Sequence, residues 1–205
     1  MVETLPSIYQ ATFTFSIAAI ALLASPGPAT LALAASGAAY GLKRSILFFA
    51  GITAGLVIAL ALVTAGLDAF IHSFPYLGTT LTAVSILYIL YLAYAIATTP
   101  PVNDGQTATN PGLTAGFILG IANIKAYAAF AALLSSFTVG VTPTWESFTK
   151  ASICLAVCVV FDFLWLLVGS KLRKLFVHRT WSRVLNVSFA VLMVVTIAWS
   201  FLLTG

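Results

Sequence analysis

Charged residues are scarce in this sequence. Asp, Glu, Lys and Arg make up 7% of the 205 residues, whereas about 25% of the residues of an average soluble domain are charged. Hydrophobic residues reach 61%, and the mean hydropathy is +1.09. This composition excludes an ordinary soluble domain and predicts an all-α polytopic membrane protein, one domain over residues 1–205, surrounded by lipid. The net charge of +4 indicates no nucleic-acid partner, because the basic residues lie beside the predicted spans.

Cysteine and histidine are scarcer still, with two residues each. Cys154 and Cys158 are one helical turn apart in an apolar run, so they indicate buried side chains and not a disulfide framework. His72 and His178 lie at opposite span ends and form no convergent ligand set of the kind that metals select. The sequence therefore predicts no metal site and no cofactor. It also contains no visible nucleophile–base pair, so it gives no indication of an enzyme.

Apolar stretches dominate what is present. About twenty apolar residues cross the hydrocarbon core of a bilayer, and six stretches meet this requirement. They are residues 8–40, 45–67, 76–97, 113–137, 151–170 and 184–203. The first stretch lacks a basic leader segment and follows Glu3, so we interpret it as a retained span and not as a signal peptide.

The first stretch contains the strongest helix-breaking motif of the chain, Ser25-Pro26-Gly27-Pro28. Each proline removes an N–H donor and clashes with the preceding turn, and Gly27 tolerates backbone angles that other residues avoid. Pro28 is well suited to begin a new helix. The motif predicts two half-helices that meet near the membrane midplane, where secondary transporters bind their substrates. The alternative is a purely structural proline kink.

The fourth and fifth stretches each contain one charged residue. Lys125 follows Asn123 and Ile124 in the middle of the fourth stretch, and Asp162 lies in the fifth. A Lys at a helix centre costs roughly 2.5–3.5 kcal/mol on insertion scales, so Lys125 should face the protein interior with a partner. Two interpretations stay open: an ion pair between Lys125 and Asp162 that locks two helices, or a functional site for an amino acid or a proton.

The chain divides into two halves of three predicted spans, residues 1–98 and 113–205, joined by a polar linker at 99–112. Because each half has an odd number of spans, similar halves would be inverted relative to each other. A shift of 98 positions pairs Ser25 with Asn123, so we expect spans 1 and 4 both to be broken near the midplane.

Basic residues predict the orientation of the chain. The first and fifth loops hold seven of the nine Lys and Arg residues, and the termini and remaining loops hold only Lys150. The seven are Lys43, Arg44, Lys171, Arg173, Lys174, Arg179 and Arg183. Because Lys and Arg favour the cytoplasmic side, both termini are expected outside the cytoplasm.

Several of these motifs resemble the LysE/RhtB family of amino-acid exporters. The similar segments include 25–28, Gly41-Leu-Lys-Arg, 87–93, Gly116-Phe117 with 123–125, and 161–165. The family usually has Asn-Pro-Lys where this chain has Asn123-Ile124-Lys125, so the second break should be milder. Two features most resemble the cysteine/O-acetylserine exporter branch of the family. They are the segment Ile-Ala-Thr-Thr-Pro-Pro before the linker and the lack of a proline between Asn123 and Lys125.

Together, these features predict a secondary transporter in the inner or plasma membrane that exports amino acids or close derivatives by proton antiport. We expect the substrate to contact Pro26, Gly27, Pro28, Ala29, Thr30, Asn123 and Lys125, and Asp162 to act in proton coupling or an ion pair. Homo-oligomerisation stays open. Two alternatives are an intramembrane thiol–disulfide relay, although both cysteines share one helix, and an exporter of metal or inorganic ions.

Overall fold

The computed structural model describes residues 5–66, 111–139 and 142–176, together with scattered helical positions within 83–98 and 183–195. All regular secondary structure in these described residues is α-helical, which confirms the predicted class for that part of the chain. The helices are α1 (Leu5–Leu23), α2 (Pro28–Tyr40), α3 (Leu42–Thr64), α4 (Leu113–Ile121), α5 (Ile124–Ser136) and α6 (Pro143–Phe176).

Two of these helices are long and apolar enough to cross a bilayer without interruption. They are α3 and the part of α6 from Pro143 to Leu172. Two further candidate spans are bent pairs: α1 and α2 meet at 62°, and α4 and α5 meet at 48°. The described residues thus contain two candidate spans, or four if each bent pair is one span. The predicted spans 76–97 and 184–203 lie largely outside the described residues.

The two bends occur at the predicted positions. We call residues 24–27 the first break and residues 122–123 the second break. At the first break, Gly27 is extended, and the Thr30 hydroxyl accepts a hydrogen bond from the Gly27 N–H (2.8 Å) and donates one to its carbonyl (2.9 Å). At the second, Asn123 caps α5 by accepting a hydrogen bond from the Ala126 N–H (3.3 Å). The smaller bend is at the break without proline, as expected.

Helix α6 extends beyond the predicted fifth span, residues 151–170, at both ends. It begins at Pro143, a favourable first helical residue, and the Thr142 hydroxyl accepts a hydrogen bond from the Trp145 N–H (3.4 Å). The apolar pattern marked only the middle of this helix, because polar residues at the two ends also form helix readily.

Helices α2 and α3 are joined by Gly41 alone. Its φ of 78° lies in the left-handed region that favours glycine. Gly41 thus forms the turn between the two helices. The hydroxyls of Ser36 and Ser45, one on each helix, are buried and hydrogen-bonded at 2.8 Å.

Glycines let two pairs of helices approach until their backbones touch. Helix α2, buried from Pro28 to Ala39, packs against α6, where a Cβ on Gly37 would overlap the Leu166 carbonyl and one on Gly169 would overlap that of Ala34. The Gly51/Gly55 pair of α3 faces the Gly116/Gly120 pair of α4. A Cβ on any of these four glycines would overlap the backbone of the other helix, as in close membrane packing.

These close contacts lie on one side of the breaks. Helix α2 runs from the first break to Gly41, and α4 runs from Gly112 to the second break. The glycine contacts with α6 and α3 involve only these two half-helices, so the side bearing Gly41 and Gly112 is densely packed. The breaks themselves lie against the middle parts of α3 and α6.

Candidate functional site

A small cavity lies between the two breaks. Six of the eight residues predicted to contact substrate or protons line it: Gly27, Ala29, Thr30, Asn123, Lys125 and Asp162. Leu23, Leu56, Ala126 and Cys158 also line it. Pro26 and Pro28 are not part of this wall. The cavity has a volume of about 20 Å³, which is room for about one water molecule.

Lys125 extends from the start of α5 into the first break. Its ammonium group donates hydrogen bonds to the carbonyls of Ser25 and of Pro26, the latter at 3.5 Å. These carbonyls follow the end of α1 and have no donor within that helix, and a cation is favourable at a helix C-terminus. Gly27 makes room for the Lys125 stem, because a Cβ there would lie 2.7 Å from Cδ of Lys125.

Two helix N-termini point toward the same cavity. Ala29 and Thr30 are the second and third residues of α2, where N–H groups have no acceptor within the helix. Asn123 caps the start of α5 and is 8% exposed. Its carbonyl oxygen serves this cap, so its amide N–H₂ group can donate to a ligand. Both N-termini add positive potential to the cavity.

Asp162 supplies the negative charge of the site. It lies on α6, is 5% exposed and lines the cavity. Among the residues that the structure describes, its carboxylate forms no hydrogen bond and no ion pair. The predicted pairing with Lys125 is thus not a direct contact in this conformation, although both groups line one cavity. A buried carboxylate without a partner is costly, so it needs a cation or a proton.

Trp165 is the main site residue that sequence reasoning missed. Its indole N–H donates to the Ala24 carbonyl in the first break at 3.2 Å, and it lies three residues after Asp162. From the sequence it stood out only as a member of the 161–165 segment, because a tryptophan in an apolar helix usually indicates packing or an interfacial position.

Cys158 also lines the cavity, one turn before Asp162. Cys154 and Cys158 are both buried free thiols. No group of three or more His, Cys, Asp or Glu side chains suited to a metal is found among the described residues. His72 and His178 lie outside those residues.

The charges of this cavity suit a small zwitterion. The N-termini of α2 and α5, with Lys125, can stabilise a carboxylate, while Asp162 can pair with an ammonium group or take up a proton. The walls provided by Gly27, Ala29 and Ala126 are small.

Comparison with known proteins gives related sequences over almost the whole chain. The profile of the LysE type translocator family matches residues 20–205. The cysteine/O-acetylserine efflux protein of Escherichia coli (strain K12) is 28% identical over 198 residues, which cover 92% of this chain and 95% of that protein. Its counterpart in Shigella flexneri is 29% identical over 179 residues, covering 83% and 87%. No solved structure matches the chain.

The matched region includes both breaks, all four helices with close glycine contacts and every described residue that lines the cavity. The chain is therefore a membrane transporter and not an enzyme, and it belongs to the LysE type translocator family.

Proposed function

We propose that the protein is a secondary transporter that exports amino acids or close derivatives from the cytoplasm across the inner or plasma membrane by proton antiport. The observation that carries this proposal is the cavity between the two breaks, where Lys125 and two helix N-termini face the carboxylate of Asp162, which has no hydrogen-bond or ion-pair partner among the described residues. Transporters bind charged substrate groups at the ends of such broken helices. The similarity to cysteine/O-acetylserine efflux proteins supports an amino-acid substrate or a close derivative.

The substrate carboxylate binds between the start of α2 and Lys125. Lys125 leaves the carbonyls of the first break for this stronger, oppositely charged partner. The N–H groups of Ala29 and Thr30 and the amide of Asn123 donate the remaining hydrogen bonds. Because the cavity holds about one water, the helices around it separate when an amino acid enters.

Asp162 binds the substrate ammonium group and couples its release to proton uptake. When Asp162 is ionised, the two charges attract, and the attraction is strong because the site is buried. Protonation of Asp162 from the outside removes this attraction and releases the amine there. Return of the proton to the cytoplasm regenerates the carboxylate for the next substrate.

The proposed topology has six spans in two inverted halves, residues 1–98 and 113–205, within one domain. Basic residues place the ends of α2 and α6 on the cytoplasmic side and both termini outside. In this arrangement the two breaks face each other across the cavity. A homo-oligomer stays compatible with it.

The proposal is tested by uptake of a panel of labelled amino acids into inverted membrane vesicles, with and without a pH gradient. We expect uptake of at least one amino acid that the gradient accelerates. Lys125→Met keeps the side-chain length and removes the charge, and should lower uptake roughly 10- to 100-fold, the range of a lost charged hydrogen bond. Asp162→Asn should make the remaining uptake independent of the gradient.

Lys43→Met is the matched control, because Lys43 is exposed at the start of α3. Rates are divided by the amount of inserted protein, so that poor expression is not read as lost activity. Normal uptake by inserted Lys125→Met protein contradicts the substrate site. Recovery of uptake in the Lys125→Met/Asp162→Asn double variant favours a structural ion pair instead.

A further inference from the structure

Three consecutive carbonyls in the first break are bonded by side chains from two other helices. The Ala24 carbonyl accepts a hydrogen bond from the indole of Trp165 on α6 (3.2 Å). The carbonyls of Ser25 and Pro26 accept theirs from Lys125 on α5. Since all three carbonyls follow the end of α1, no donor within that helix reaches them. The end of α1 is therefore fixed between α5 and α6.

Trp165 connects this fixed point to the carboxylate of the site. Cys158, Asp162 and Trp165 follow one another at helical spacing on a single face of α6. The first two line the cavity, and the third bonds the break directly beside it. The position of Asp162 relative to the first break therefore depends on the hydrogen bond of Trp165.

We propose that Trp165 is a positioning residue of the transport cycle, which holds the end of α1 against α6 in the contracted state of the cavity. The inference rests on the proposed function. Because the cavity holds about one water, an amino acid enters only when the helices around it separate. Lys125 then has a new partner in the substrate carboxylate, whereas separation of α1 from α6 breaks the Trp165 bond without replacing it.

The removal of this bond should favour the expanded cavity. One net hydrogen bond corresponds to a roughly two- to tenfold change in such an equilibrium. Trp165→Phe keeps the aromatic bulk and removes the N–H. Trp145→Phe is the matched control, since Trp145 is on the same helix, is 64% exposed and lies far from the cavity in sequence. Trp165→Tyr keeps a donor on an aromatic ring and should lie between the parent and Trp165→Phe.

Cys158 provides a readout that does not require transport. In a Cys154→Ser parent it is the single thiol of the chain, and its alkylation by N-ethylmaleimide reports access to the cavity. We expect Trp165→Phe to be alkylated two- to tenfold faster than the parent without substrate, and Trp145→Phe at the parental rate. In proteoliposomes, Trp165→Phe should lower KM by up to the same two- to tenfold factor, because an amino acid binds only to the expanded cavity, whereas Trp145→Phe should keep the parental KM.

The outcomes separate this inference from the proposed function. If the parent transports amino acids and Trp165→Phe behaves as Trp145→Phe in both assays, the positioning role is rejected and the transporter stands. If the parent transports no amino acid but Cys158 still reacts faster in Trp165→Phe, the proposed function fails and the contact between α1 and α6 stands. Failure of both Trp165 variants to yield folded protein assigns Trp165 a structural role and also rejects the inference.

Discussion

Two lysines among the described residues are buried or partly buried, and the groups that they bind give them different roles. Among the described residues, Lys125 donates hydrogen bonds only to neutral carbonyls, and it lines the cavity. Lys150 is buried near the start of α6, forms an ion pair with Glu146 (2.6 Å) and donates to the Leu134 carbonyl near the end of α5 (2.9 Å). A lysine whose charge is neutralised has a structural role, whereas Lys125 can still bind an anion.

Lys150→Met should therefore lower stability and leave transport by each folded molecule unchanged. The substitution leaves Glu146 without its cation and the Leu134 carbonyl without its donor, which costs about 1–3 kcal/mol. Thermal unfolding of the purified protein in detergent measures the loss, with Lys43→Met as the exposed control. An unchanged unfolding midpoint for Lys150→Met would show that the ion pair contributes nothing.

Sequence reasoning at this scale located the charged residues but not the atoms that they contact. Lys125 stands out because a charge in an apolar stretch is costly, and the position follows from counting residues. Its hydrogen bonds to Ser25 and Pro26 could not be predicted, because a lysine stem has many rotamers and Asp162 was an equally reasonable partner. Trp165 gave no comparable signal, since its donor is hidden within an apolar side chain.

At the scale of helices, glycine determines how closely neighbours pack. The α3–α4 and α2–α6 contacts bring backbones together without intervening side chains, so each Cβ that is absent contributes to stability. The Gly51/Gly55 and Gly116/Gly120 pairs, each spaced four residues apart in the sequence, face each other across one interface. The close contact of Gly169 with α2 could not be predicted, because a single glycine in an apolar helix lacks the four-residue spacing to a second glycine that indicates close helix packing.

Gly120→Ala should destabilise the protein by about 1–3 kcal/mol, the usual cost of an overpacked core. The new methyl group would overlap the Ile52 carbonyl and lie 2.9 Å from the Gly55 Cα, and backbone cannot yield as a flexible side chain can. Gly112→Ala is the control, because no described residue beyond its own chain neighbours lies within 4 Å of its would-be Cβ and a change at a helix cap costs about 1 kcal/mol or less. Equal unfolding midpoints for the two variants would contradict the close α3–α4 contact.

At the scale of the whole molecule, the two broken spans are related in sequence but not in packing. Helices α1 and α4 end at Leu23 and Ile121, 98 positions apart, the same shift that pairs Ser25 with Asn123. However, the glycine contacts do not follow this correspondence. In the first bent pair they involve the second half-helix, α2, whereas in the other bent pair they involve the first half-helix, α4. The two breaks were predictable because Ser25-Pro26-Gly27-Pro28 and Asn123-Ile124-Lys125 mark them, whereas the packing depends on which half-helices meet, which no local pattern encodes.

The glycine contacts also bear on how an exporter of this topology would load its substrate. In the proposed orientation, the densely packed side that bears Gly41 and Gly112 faces the cytoplasm. A cytoplasmic amino acid reaches the cavity only when α2 and α6, or α3 and α4, move apart. Whether these helices have to separate during loading therefore depends on the orientation of the chain in the membrane.

That orientation is tested by two introduced cysteines in a Cys154→Ser/Cys158→Ser background. Lys43 lies at the start of α3 and Thr144 at the start of α6, and both are exposed. Seven basic residues in the first and fifth loops predict that Lys43→Cys is cytoplasmic and Thr144→Cys is outside. A membrane-impermeant maleimide should label only Thr144→Cys in intact cells and only Lys43→Cys in inverted vesicles. The reverse pattern in both preparations would place the dense side outside the cell, so that substrate would reach the cavity from the cytoplasm without separation of these helices.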